Sequence, residues 1–256
     1  MKKKTKKRLI IVVTVIMGLM IVGGIGVANY LGYFNPGNGK EYSLTNVEKI
    51  ENSKLANMHI IFLGSSVTEG MHSQGVSFVE FMAKRNDFTY TKEAKSGTTL
   101  VDNGKDSYVQ RLMTIEDTTA DLFICQLSTN DAQKKLPMGE ISKSKEINDF
   151  DVSTVIGAME TIIVYSQNKW DVPVIFYTGT EFDNEQYPMM IDALYELQAK
   201  WDIGIIDLWN TLDIQAIDEK TYKEYMSDAI HPTRRGYLEW WVPQMETSIL
   251  EYLNNK

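Results

Sequence analysis

Cysteine is nearly absent. Cys125 is the single one in 256 residues, which excludes an intrachain disulfide and any cysteine-rich metal cluster. It sits inside an apolar run and reads as a core residue rather than a reactive thiol. Histidine is almost as scarce, at His59, His72 and His231. A metal site would need these scattered residues to converge, so none is expected. No repeat or low-complexity block divides the chain. Positive charge is sparse outside one place: six of the 26 Lys and Arg lie in the first eight residues. The remaining 20 face 34 Asp and Glu, a formal −14 for the body of the chain. Such a body does not bind nucleic acid or an anionic lipid surface through general electrostatics.

Apolar residues are plentiful at 43%, enough for the core of one domain of about 200 residues with an appendage. The appendage is N-terminal. A basic cap at 1–8 precedes Leu9 to Val27, 19 residues without a charge. At 1.5 Å rise such a helix spans roughly the 30 Å of a bilayer core. Tyr30, Tyr33 and Phe34 supply an aromatic edge, and the basic cluster predicts a cytoplasmic N-terminus. Gly26-Val27-Ala28 offers small residues at the spacing of signal cleavage, but the run is longer than the 7–15 residues of a signal core. A single-pass anchor over 9–28 is therefore expected, with everything after it extracytoplasmic. Residues 29–57, opening with Pro36, Gly37 and Gly39, read as a polar tether.

From Met58 strands and helices alternate. Strands are predicted over 58–63, 88–93, 122–127, 172–177 and 203–208. Helices are predicted over 76–85, 108–115, 152–169, 190–201 and 236–253. Alternation of this kind implies right-handed βαβ units and a parallel sheet of about five strands with helices on both faces. The polar stretch 132–151 has no apolar periodicity and reads as a functional or mobile loop.

Chemistry concentrates where the strands end. Gly64-Ser65-Ser66-Val67-Thr68-Glu69-Gly70 closes the first strand in a tight turn. Ser66 there is either a nucleophile or, with Glu69 three residues on, a helix capping box. Ser96-Gly97-Thr98 follows the second strand and Ser128-Thr129-Asn130-Asp131 the third; both also suit turns and caps. Asp228-Ala229-Ile230-His231-Pro232 lies before the last helix. Together they meet one need. A serine hydroxyl requires a base, and His231 is the best placed histidine to serve. Asp228 can hold its Nδ1–H while Nε2 faces Ser66. The backbone N–H groups of Ser66 and Gly97, with the Asn130 amide, supply three oxyanion donors. His59 reads as core or strand edge, and His72 as a residue near substrate with nothing to orient it as a base. The five tryptophans are mostly core, with Trp209 or Trp240 available to stack on a sugar.

These blocks, in this order, resemble the SGNH (GDSL-like) hydrolase family over 58–256. Gly64-Ser65-Ser66-Val67-Thr68-x-Gly70 is similar to its nucleophile block, Gly97 to its glycine block, Ser128-Thr129-Asn130-Asp131 to GxND, and Asp228-x-x-His231-Pro232 to DxxH. The resemblance implies a flavodoxin-like α/β/α sandwich and hydrolysis of esters, or acyl transfer, with no metal or organic cofactor. Two positions depart: Ser65 replaces the usual Asp, without a role in the triad, and Ser128 replaces Gly. Ser128 is expected to narrow the acyl pocket. The expected activity is an extracytoplasmic serine esterase acting on short, O-acetyl-type esters of cell-surface carbohydrate. The alternatives are an acyltransferase, a lipase-like esterase, or a non-catalytic module.

Overall fold

The computed structural model describes residues 2–116 and 118–256; the side chains of 1–13 and 15 lie outside that description. The chain opens with helix α1 (Lys2–Tyr30). Strand β1 (His59–Gly64) turns sharply into the one-turn helix α2 (Ser66–Glu69). Helix α3 (Phe78–Asn86) and strand β2 (Thr89–Ala94) follow, then α4 (Tyr108–Thr114), β3 (Leu122–Gln126) and the short α5 (Thr129–Gln133). Next come α6 (Val155–Trp170), β4 (Val174–Tyr177), α7 (Gln186–Trp201) and β5 (Gly204–Ile206). The short helices α8 (Leu208–Thr211) and α9 (Glu219–Tyr225) precede α10 (Val242–Asn254).

The strands form one sheet in the order β2-β1-β3-β4-β5, every pair parallel. This is the flavodoxin-like order, in which the connections run in opposite directions from β1 and leave a crevice beyond the strand ends there. Side-chain alternation divides the core. Ile60 and Phe62 face Phe78, Phe81, Trp241 and Met245; Ile61 and Leu63 face Leu112, Met159 and Leu194. Burial on both faces explains why β1, β3 and β4 read as unbroken apolar runs.

Local signals set the helix ends. Ser77 and Glu80 form a reciprocal capping box at the start of α3. Helices α3, α6 and α7 all stop on an aspartate in the left-handed conformation, Asp87, Asp171 and Asp202, which Asp tolerates better than most residues. The closing helix expected over 236–253 is present and unbroken, but it changes type along its length. Gly236–Trp241 is a π-helical turn leading into α10, because Pro243 has no N–H to donate to the preceding turn.

The basic cap 1–8 and the first part of the expected anchor, 9–13 and 15, lie outside the described side chains. Among the described residues, which take in only the latter part of the apolar run, no helix is long and apolar enough to cross a membrane. Large apolar side chains of α1 from Ile16 to Val27 are exposed.

The stretch expected as a tether is seated on the domain. Val47 and Leu55 are buried in the α3–α10 face. Asn38 is also buried; its amide donates to the carbonyls of Gly32 (2.8 Å) and His72 (2.7 Å), and its oxygen accepts from the Arg234 N–H. The loop 132–151 is also pinned. Lys200 donates to the carbonyls of Ser142 and Ser144 and to the buried Glu160, whose other oxygen accepts from the Ser142 N–H.

Candidate active site

The β1–α2 turn presents Ser66. Gln126, the last residue of β3, fixes it: its side-chain oxygen accepts from the Ser65 N–H at 2.8 Å and the Thr68 hydroxyl at 2.9 Å. Behind α2, the buried Tyr237 hydroxyl donates to the Val67 carbonyl at 2.7 Å. Gly70 ends the turn at φ +87, where an added Cβ would meet Val76 backbone atoms at 2.8 Å. Only glycine suits both the conformation and the space. Ser66 itself is 5% exposed.

His231 reaches Ser66 across 165 residues of sequence, with Nε2 2.8 Å from the serine Oγ. Its Nδ1 lies 2.9 and 2.8 Å from the two oxygens of Asp228. The Asp228 carboxylate also accepts the backbone N–H groups of Ile230 and His231, each at 2.8 Å. Burial opposes charge on Asp228, but the His231 ring and these N–H groups outweigh it and hold the carboxyl at about 2. An ionised carboxylate only accepts, so Nδ1 carries the proton and the Nε2 lone pair faces the serine hydroxyl.

Gly97 and Asn130 lie on two turns joined to each other through Thr98. Gly97 turns the chain at φ +78, and its carbonyl is held by Lys134 Nζ at 2.9 Å. Asn130, near the start of α5, donates one amide hydrogen to the Thr98 carbonyl at 2.9 Å and has a second to give. Glu69 ties this turn to α2 by accepting the N–H of Ser96 at 2.7 Å and its hydroxyl. The Ser66–Glu69 capping box expected as an alternative therefore does not form: Glu69 reaches to Ser96, and Ser65 is the N-cap residue. The five residues singled out by the sequence thus lie on the connections at one edge of the sheet.

Several supporting residues had no clear sequence signal. Arg111, nearly buried, donates to the carbonyls of Gly64 (2.7 Å), Glu93 (2.8 Å) and Asp106 (3.0 Å), and so clamps the ends of β1 and β2. Asp131 stands in the block quoted for Asn130, but its own task lay beyond spacing. Its fully buried carboxylate accepts the N–H groups of Leu100 and Val101, and burial raises its pKa.

Two expectations need correcting. Ser128 does not line a pocket; it is fully buried and caps α5 by accepting the Asp131 N–H at 3.4 Å. His72 does have partners. Its ring lies 5.0 Å from those of Tyr30 and His231, and its Nε2 is 3.6 Å from Asp228 Oδ2. Burial, then the nearby His231, lower its pKa, against Asp228 and a hydrogen bond to the Tyr30 backbone. His59 bonds Thr89 and Thr91 at the far end of the sheet.

Known structures share this fold. The chain is similar to a protein from Lactobacillus plantarum, with a TM-score of 0.62 at 18% identity over 78% of this chain and 98% of the other. A member of the lipolytic protein G-D-S-L family from Veillonella parvula superposes with a TM-score of 0.51 at 19% identity, over 76% and 97% of the two chains. At such identities the likeness is one of fold. No family model matches the chain, and no curated protein matches it.

Beside the Asp228–His231 loop lies a groove of about 580 Å³ lined by Phe182, Trp209 and Tyr222 with Glu181, Asp183 and Ala229. A second, polar groove of about 400 Å³ runs along Ser96, Gly97 and Thr98. Trp240 stacks on Tyr225 instead.

Proposed function

We propose that the chain is a serine esterase using Ser66, His231 and Asp228. The observation that carries this is the continuous line of hydrogen bonds from Asp228 through His231 to Ser66, 2.8 Å at the serine. His231 Nε2 takes the Ser66 proton as Oγ adds to the ester carbonyl. Asp228 stabilises the resulting imidazolium. The oxyanion of the tetrahedral intermediate takes hydrogen bonds from the N–H groups of Ser66 and Gly97 and the free amide hydrogen of Asn130. Collapse breaks the bond to the leaving alkoxide, which receives the proton from His231, and leaves an acyl-serine. Water then adds with His231 again as base, releasing the carboxylic acid and restoring the serine.

The substrate we assign is a short acyl ester on carbohydrate. Phe182, Trp209 and Tyr222 offer apolar faces for sugar rings, and Glu181 and Asp183 offer acceptors for hydroxyls, in a groove that reaches the catalytic loop. The groove along Ser96, Gly97 and Thr98 is lined by polar residues and glycine, which suits a short acyl group better than a long chain. We also assign α1 as a membrane anchor with the domain outside. Its exposed apolar side chains from Ile16 to Val27 have no domain surface to cover them, as suits lipid contact. Since Tyr30 packs on His72, the site would lie close to the bilayer surface, within reach of membrane-proximal envelope polymers.

Acyl-chain profiling on p-nitrophenyl esters, beside a Ser66→Ala control, tests this function. The expected result is turnover that falls from acetyl to octanoyl and vanishes with Ser66→Ala. A preference for octanoyl would replace the carbohydrate assignment with a lipase-like one, and turnover retained in Ser66→Ala would remove the esterase assignment.

A further inference from the structure

Ester hydrolysis leaves His72 without a task. Asp228 already orients His231, and His231 already holds Ser66, yet a second histidine is directed at the same carboxylate. The His72 Nε2 to Asp228 Oδ2 distance of 3.6 Å is too long for a hydrogen bond. It is close to the spacing of two ligands on one metal: nitrogen and oxygen atoms about 2.0–2.1 Å from a tetrahedral zinc lie about 3.3–3.4 Å apart. His72, Asp228 and His231 each present one ligand atom within 4.8 Å of the others.

We infer that His72, Asp228 and His231 form a site for a zinc-type divalent cation, and that filling it silences Ser66. Two imidazoles and a carboxylate are a ligand set that zinc accepts with water in the fourth position. The surroundings favour a held ligand rather than a loose one. The His72 ring is packed edge-on against the Tyr30 ring, 5.0 Å between centroids, which limits how it can turn. The His72 backbone is anchored as well, its carbonyl accepting from Asn38 at 2.7 Å. His59 is committed to Thr89 and Thr91 and takes no part.

The consequence for chemistry is direct. Zinc takes a lone pair from each imidazole and one from the Asp228 carboxylate. His231 then either loses Asp228 from Nδ1 or loses the Nε2 lone pair that receives the Ser66 proton. Any proton on the rings passes to water, and nothing is oxidised or reduced. Removal of the metal restores the relay. Only the inhibition rests on the esterase assignment; binding does not.

The test uses the full, untagged chain stripped with EDTA and then freed of it. Calorimetric titration of Ser66→Ala with zinc chloride is expected to give one ion per chain, and the double variant with His72→Asn to lose it. Asparagine is chosen because His72 sits at φ +63, a conformation Asn accepts more readily than most residues. In the unmodified enzyme, zinc chloride should abolish p-nitrophenyl acetate turnover and EDTA should restore it. His72→Asn should raise the half-inhibiting zinc concentration at least about 10-fold, relative to its own zinc-free rate. Absence of stoichiometric binding to Ser66→Ala, or equal zinc sensitivity with and without His72, would overturn the site. If the chain turned over no ester at all, calorimetry would still decide the metal site while the esterase assignment alone failed.

Discussion

The carboxylate of Glu69 binds both the N–H and the hydroxyl of Ser96, a residue 27 positions further along the chain. It thereby locks the turn that carries Gly97 to the helix that carries Ser66. Two of the three oxyanion donors we propose depend on that spacing, and errors on the scale of 1 Å in such positioning cost about 10²-fold. Glu69→Ala is therefore expected to lower kcat by roughly 10–100-fold while KM changes little. Glu69→Gln, which keeps one acceptor, should retain more activity. Steady-state kinetics on p-nitrophenyl acetate, alongside melting curves to confirm folding, checks this. Full activity in Glu69→Ala would mean the Gly97 turn needs no such tie.

His72 should make the domain sensitive to mild acid. Its pKa in the folded chain is lowered, by burial first and then by His231, so the unfolded chain takes up the proton more readily. Stability is thus fully present above the ordinary histidine range near 6.5 and is lost as pH falls below it. Asp228, held at about 2, loses its contribution only in much stronger acid. Melting temperatures at pH 7 and pH 5 with EDTA present should differ more for the unmodified chain than for His72→Asn. An equal or larger drop in the variant would contradict the assignment.

Ser128 separates packing from specificity. Because it is buried and caps α5, Ser128→Ala is expected to cost about 0.5–1 kcal/mol, the lower part of the range for a lost cap. The order of preference among acetyl, butyryl and octanoyl esters should not change. Urea denaturation and the ester series measure the two effects separately; a shifted acyl preference at unchanged stability would return Ser128 to the pocket wall.

The sheet was legible because its central strands are apolar on both faces, and the βα periodicity leaves few topologies once the connections are right-handed. Ser66, Gly97, Asn130, Asp228 and His231 were legible because each follows a strand end or precedes a helix, where turn residues stand out. The residues that hold them in place were not. Glu69 sits at capping-box spacing from Ser66, and only the folded chain shows its carboxylate turned to Ser96. Arg111 looks like one more charge on a short helix until its three carbonyl partners meet around it. His72 escaped because its neighbours, Tyr30 and Asp228, lie 42 and 156 residues away. Ser128 misled because a serine in place of a glycine says nothing about which way the hydroxyl points.

The central claim is that Ser66 is a nucleophile activated by His231. Incubation of the full chain with a fluorophosphonate, followed by peptide mass spectrometry, tests it without reference to the natural substrate. A single phosphonyl adduct on Ser66 is expected, absent in Ser66→Ala and slowed by at least about 10³-fold in His231→Ala, in keeping with the loss of a catalytic base. Labelling of another residue, or of Ser66 at an undiminished rate in His231→Ala, would contradict it.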